Sequence, residues 1–221
     1  MRLISTISVT ILTLLGSGCA FIDPYIEKPF QESCQSHAYT QMVLLDYIQN
    51  RFAPNAPVRI GVLPATAPAN MNHFYYENIS GGLILSNRIH QDLLNWGTLP
   101  IVEMFNRSEW PGKREEFFSG NFKAIRSARE AGYDFVVISY IEPMRDTENL
   151  SALTRVIETS SGTTIYYGKS TAHSMRQDYN RVSSGMGLSR TNPSQVPLND
   201  LFEKLGQCIS QAIMKDSTTP R

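Results

Sequence analysis

The residues able to carry chemistry in this sequence are scattered rather than gathered. Its four histidines, His37, His73, His90 and His173, fall in different segments with no short ligand spacing, so the pattern predicts capping or solvated roles and no metal site. Serine hydrolysis of the elbow type needs an exposed G-x-S-x-G turn, and the sequence has none. Ser80-Gly81-Gly82 stands at a predicted helix start, where it reads as a cap with room for close packing rather than an anion site. Gly185-Met186-Gly187 lacks the preceding strand and following helix of a phosphate loop. Glu103 and Glu142 stand near the carboxyl ends of predicted strands, the usual ligand side of an α/β sheet. With no base partner, nucleophile or metal ligand beside them, they read as solvated strand ends. The expectation is a protein that is not an enzyme and holds neither cofactor nor metal.

The three cysteines say more. Met1-Arg2 supplies a positive start, and Leu3 to Leu15 is apolar apart from hydroxyl residues, too short to span a bilayer comfortably as a permanent helix. Residues 1–18 therefore read as a signal peptide. Its end, Leu15-Gly16-Ser17-Gly18-Cys19, resembles a bacterial lipoprotein cleavage box, with Gly16 where Leu is more usual. The alternative is an ordinary secretory signal in which Cys19 is incidental. A lipidated Cys19 would carry several acyl chains, palmitate among them, and at about 0.8 kcal/mol per buried methylene such an anchor holds the chain stably at a membrane. Ala20 in place of Asp implies, by resemblance to other lipoproteins, the periplasmic face of a Gram-negative outer membrane.

Cys34 and Cys208 then remain in an oxidising compartment, which favours a disulfide worth roughly 3–5 kcal/mol on the chain-entropy account. Two separately buried thiols are the other reading, since no spacing signal supports pairing.

Lys plus Arg equals Asp plus Glu at 20 each, so no global field attracts nucleic acid or an anionic surface. The best partner-binding candidates are the loop aromatics Phe74, Tyr75 and Tyr76 with Trp110, because aromatic residues in loops tend to anchor interfaces. They could equally fold back over a sheet edge. The partner expected is another envelope protein or a second copy of the chain.

These residues need elements to hold them. Residues 19–32 carry two prolines and no period, as a tether does. A single domain is expected over 33–215, with a flexible tail at 216–221. Ser36 to Asn50 places Tyr39, Met42, Val43, Tyr47 and Ile48 at helical spacing. Val58 to Pro64 reads as a strand, Ser80 to Trp96 as a helix stopped by Gly97, and Leu99 to Phe105 as a strand. Asn106 to Asn121 reads as a loop or short exposed helix, and Phe122 to Ala131 as a helix. Tyr133 to Ile141 is a continuous β-branched and aromatic run, as expected of a central strand buried on both faces. Leu150 to Thr159 and Thr163 to Ser174 flank Ser160-Ser161-Gly162 as a hairpin, Met175 to Pro197 is a long polar loop, and Leu198 to Lys215 an amphipathic helix. The fold class expected is α/β: helices packed on a mixed sheet, three-layer-like, with a β-hairpin at its end.

Four segments in this order resemble the periplasmic lipoprotein domains related to the curli-secretion channel CsgG, the penicillin-binding-protein activator LpoB and the amino-terminal domain of TolB. They are V-R-I-G-V-L-P at 58–64, P-I-V-E at 100–103, A-R-E-A-G-Y-D-F-V-V-I-S-Y at 128–140 and A-L-T-R-V-I-E-T-S-S-G-T-T-I at 152–165. The resemblance covers about half the chain. It implies an outer-membrane lipoprotein acting as a scaffold or accessory protein. It also leaves room for a subunit of a ring-forming secretion or surface-organelle assembly. Membrane-spanning hairpins need about 9–11 residues of alternating character per strand. The Thr66 to Ile79 and Asn106 to Asn121 loops are too short, too charged or too proline-broken for that.

Overall fold

Tyr133 to Ile141 supplies the strand on which the sheet is built, and its neighbours explain why. The structure, a computed structural model, describes residues 34–68, 81–99, 101–105, 117–118, 123–144, 148–174 and 198–215. Six strands form one mixed sheet: β1 (Cys34–Gln41), β2 (Arg59–Val62), β3 (Ile101–Met104), β4 (Phe135–Ile141), β5 (Asn149–Glu158) and β6 (Thr164–His173). Four helices pack on it: α1 (Leu44–Arg51), α2 (Gly81–Asn95), α3 (Lys123–Glu130) and α4 (Leu198–Met214). The strand order is β1-β6-β5-β4-β2-β3. The two parallel pairings join β4 to β2 and β2 to β3, while β4-β5, β5-β6 and β6-β1 are antiparallel. The unit spans Ser33–Arg221, and the mixed α/β class expected from the sequence is the one observed.

Every residue of β4 is buried, because alternate side chains enter two different cores. Phe135, Val137 and Ile141 point into a cluster with Leu85, Ile89, Leu93, Leu201, Leu205 and Ile209, which come from α2 and α4. Val136, Ile138 and Tyr140 point the other way, toward Ala124 and Ala128 of α3, with Phe105, Phe117 and Tyr133. A strand covered on both faces has no polar side to show, which is why its sequence reads as one apolar run. The polar residue within it, Ser139, is buried and paired with Thr154 of β5, Oγ to Oγ1 at 3.0 Å.

The turns are chemically specified. Gly132 (φ 80°) and Gly162 (φ 75°) occupy the left-handed region that side chains disfavour. The first lets α3 reverse into β4, and the second closes the β5-β6 hairpin. Arg129 Nε donates to the carbonyl of Thr159 at 2.7 Å, and Thr159 Oγ1 to that of Tyr133 at 2.6 Å, so the hairpin turn is fastened to the start of β4.

One expected element is different. The helix read over Ser36 to Asn50 is a strand to Gln41, then α1. Tyr39 and Met42, assigned there to an apolar helical face, are 54% and 42% exposed. The competing pattern is the small-residue alternation Cys34, Ser36, Ala38. Its period of two lays the strand against β6, and the bond at Cys34 brings it to α4. Leu94 of α2 and Trp96 just past its end are likewise exposed, off the expected helical stripe.

Candidate interaction surface

The sheet has two unlike ends. β2, β3, β4 and β6 run one way and β1 and β5 the other. The carboxyl ends of the first four therefore share an end with Cys34, where the chain first joins the sheet. In sequence, Phe74, Tyr75 and Tyr76 fall between Pro68 and Gly81, and Trp110 follows Phe105. Those four aromatics lie outside the described residues, as do Cys19, His73, Ser80 and Gly185 to Gly187. The structure does fix Gly81 and Gly82. A Cβ on Gly81 would meet Phe202 Cζ at 2.8 Å, and one on Gly82 would meet the Ala65 carbonyl oxygen at 1.9 Å. Close packing is thus what these glycines provide. Ser86 completes the junction, donating to the Leu63 carbonyl at 2.8 Å and accepting from the Ala65 N–H at 2.7 Å.

Cys34 and Cys208 form a disulfide with a Cα–Cα distance of 6.0 Å across a sequence separation of 174 residues. It ties the first residue of β1 to the middle of α4. Cys208 is buried and Cys34 half-buried. The Ser36 hydroxyl lies 3.2 Å from Cys208 Sγ and 2.7 Å from Ser170 Oγ. At the far end of β1, Gln41 Nε2 donates to the carbonyls of Ala212 at 3.3 Å and Lys215 at 2.9 Å.

A further group of residues escaped the sequence reading. On the α3 side of the sheet, a row of rings runs across β4, β5, β6 and β1. Phe117 stands 6.1 Å from Tyr140 and 6.3 Å from Tyr167, and Phe118 stands 6.0 Å from Tyr140. The Arg155 guanidinium lies 4.5 Å from the Tyr167 centroid and 5.2 Å from that of Phe117. Tyr39 continues the row at 5.0 Å from Tyr167, with the His37 ring 5.1 Å further on. Tyr39 shares this face with His37 by strand alternation, and the register of β1 against β6 shifts between Ala38 and Thr40, beside Tyr167. The row is buried at Phe117 and opens to solvent at both ends, with Tyr39 54% and Phe118 48% exposed. Tyr, Phe and Arg are residue types that anchor protein interfaces. The available signal was Arg155 and Tyr167, each mid-strand and directly paired across the hairpin.

The predicted polar candidates are dispersed by the fold. Glu103 is not a merely solvated strand end: Arg59 Nη2 donates to its Oε2 at 2.6 Å, and that bond holds the Glu103 carboxyl below its usual range. Glu142 pairs with Lys169 Nζ at 2.5 Å. His90 Nε2 lies 3.2 Å from the Val102 carbonyl, and His173 Nδ1 is hydrogen-bonded to Asn149 Oδ1. Among the described residues no group of three or more His, Cys, Asp or Glu is placed to hold a metal ion. Among them, too, no helix is long and apolar enough to cross a membrane.

No family model matches this sequence, and no curated protein does. Solved structures do align with the fold. The PelC dodecamer from Paraburkholderia phytofirmans matches with a TM-score of 0.48 and 12% identity, over 83% of this chain and 99% of its own. Lipoprotein GNA1162 from Neisseria meningitidis gives a TM-score of 0.36 and 14% identity, over 59% of this chain and 100% of its own. The LpoB carboxy-terminal domain from Salmonella enterica gives 0.34 and 13%, over 59% of this chain and 93% of its own.

Proposed function

We propose that this chain is a lipid-anchored, non-enzymatic domain on the periplasmic face of the outer membrane that binds another envelope protein or its own copies. The observation that carries the reading is the Cys34–Cys208 disulfide. Such bonds persist in oxidising compartments, and this one begins the folded unit a short tether after Cys19. Among the described residues, Cys34 lies at the end of the sheet that holds the carboxyl ends of β2 and β3. The ring row from Tyr39 to Phe118 adds a second surface of interface-forming residue types.

Cys19→Ser tests the anchor. Palmitate labelling should vanish and the protein should move to the soluble periplasmic fraction; a labelled, membrane-retained variant rules the anchor out. Tyr75→Ala with Trp110→Ala tests the contact surface by pull-down from solubilised envelopes. Loss of the partner at unchanged melting temperature supports it, whereas a large drop in melting temperature assigns these rings to the core.

A further inference from the structure

β1 is the least embedded strand of the sheet. None of its eight residues is buried, it lies at an edge, and its strand partner is β6. Its covalent tie sits at its first residue, Cys34. A pull from the amino-terminal side would otherwise load the ladder at Cys34↔Ala172 and open it pair by pair. The disulfide passes that load to α4 instead. The bond therefore decides whether β1 belongs to the domain or to the tether.

The sulfur chemistry is unequal on the two sides. Cys208 is 3% exposed and Cys34 is half-buried, so Cys34 is the more open of the two residues and the side on which exchange is expected to begin. Attack there expels the Cys208 sulfur as a thiolate. The Ser36 hydroxyl, 3.2 Å away, is placed to donate to it, and Ser170 holds that hydroxyl at 2.7 Å. Stabilising the leaving thiolate speeds exchange.

We propose that Cys34–Cys208 is a thiol-operated release for β1, whose reduction by a dithiol converts the strand from sheet edge into additional tether and uncovers the β6 edge. The lengthened reach rests on the lipid-anchored reading above; the release itself does not. One reagent thiol loses its proton to solvent and attacks Cys34, and the Cys208 thiolate takes up a proton. The second reagent thiol then closes the reagent's own disulfide and frees Cys34 as a thiol, so two protein thiols form as one dithiol is oxidised. The Gln41 bonds to α4 and the Met42 N–H bond to the Ile165 carbonyl at 2.9 Å mark where peeling stops. The freed stretch, Cys34 to Thr40, spans about 23 Å when extended, at roughly 3.3 Å per residue.

The test is amide hydrogen exchange on the full chain in detergent, oxidised, treated with dithiothreitol, and as Cys208→Ser. Opening the bond should raise exchange in residues 34–40 by about tenfold or more and leave β4 protected. Unchanged protection of β1, or loss of protection in β4 together with β1, overturns the release. The rate of reduction by dithiothreitol gives the second readout: Ser36→Ala should slow it several-fold and Ser36→Thr should restore it. Equal rates in all three proteins overturn the role of the hydroxyl. Both measurements read the domain alone, so a failed release is distinguishable from a failed anchor, which palmitate labelling of Cys19→Ser reports.

Discussion

One face of the sheet is roofed by α1, α2 and α4 over a mainly aliphatic cluster in which Phe135, Phe202, Leu85, Ile89, Leu205 and Ile209 are fully buried. The opposite face carries the short helix α3 and the row of rings from Phe118 to Tyr39. Two polar groups within the first face are paired internally, Ser139 with Thr154 and Ser86 with Leu63. On the second, a guanidinium is held between two rings and the outer rings stand partly in water. The contrast separates two uses of apolar surface. The first face is filled by its own helices, so its side chains set stability. The second keeps large amphipathic side chains within reach of a partner, where they contribute less to stability than their size suggests.

The largest expected effect tests the first face. Phe135 has no exposed surface, and its ring stands 6.1 Å from Tyr47 and 5.7 Å from Phe52. Phe135→Ala should cost about 3–5 kcal/mol in urea unfolding, the transfer term plus the cavity left behind. A cost near 1 kcal/mol would mean that this face closes up around the gap and is not tightly packed.

A smaller effect is expected at Glu158, the cross-strand partner of Phe135. Its buried carboxylate accepts from Arg51 Nε at 3.1 Å, Tyr47 at 3.3 Å and Ser161. Burial opposes ionisation, but hydrogen bonds from Ser161, Arg51 and Ser160 outweigh it, so the carboxyl titrates below its ordinary 4.5. The folded value lies below the unfolded one, so the stabilisation is complete above about pH 4.5 and is lost as the pH falls through the folded value. Glu158→Gln should cost about 1–3 kcal/mol at neutral pH. It should also flatten this part of the acid limb in urea midpoints measured from pH 7 to 3. An unchanged acid limb would assign the pH dependence to other carboxyls.

The same contrast explains what could be read in advance. Tyr133 to Ile141 announces itself because a strand covered on both faces reads as one apolar run, and the last helix because its buried face leaves an apolar period. β1 hid because Tyr39, Met42, Tyr47 and Ile48 happen to fit a helical spacing, while the alternation that places it, Cys34-Ser36-Ala38, uses small side chains of little hydropathic weight. The ring row hid for a different reason. Its members come from β4, β5, β6, β1 and residues 117–118, and strand register brings those of the sheet together. Glu103 read as a solvated end because nothing in its own segment announces Arg59, which the parallel β2-β3 register sets beside it.

The smallest expected effect sharpens the comparison most. Tyr39 and Phe135 are aromatic residues of one sheet, yet Tyr39 is 54% exposed and its ring meets Tyr167 in a tilted pair and His37 edge-on. Removing its ring leaves no closed cavity, because solvent already reaches the site. The loss is then one aromatic pair in water, at most about 0.5–1 kcal/mol, or a shift of a few degrees in Tm for a domain of this size. If Tyr39→Ala melts within that range while recovery of the envelope partner drops severalfold, the second face is held open for binding rather than left incompletely packed. A cost approaching that of Phe135→Ala would place Tyr39 in the core and remove the distinction between the faces. Unchanged recovery together with unchanged melting would take the contact surface away from this row, and Tyr75→Ala with Trp110→Ala tests the loop aromatics separately.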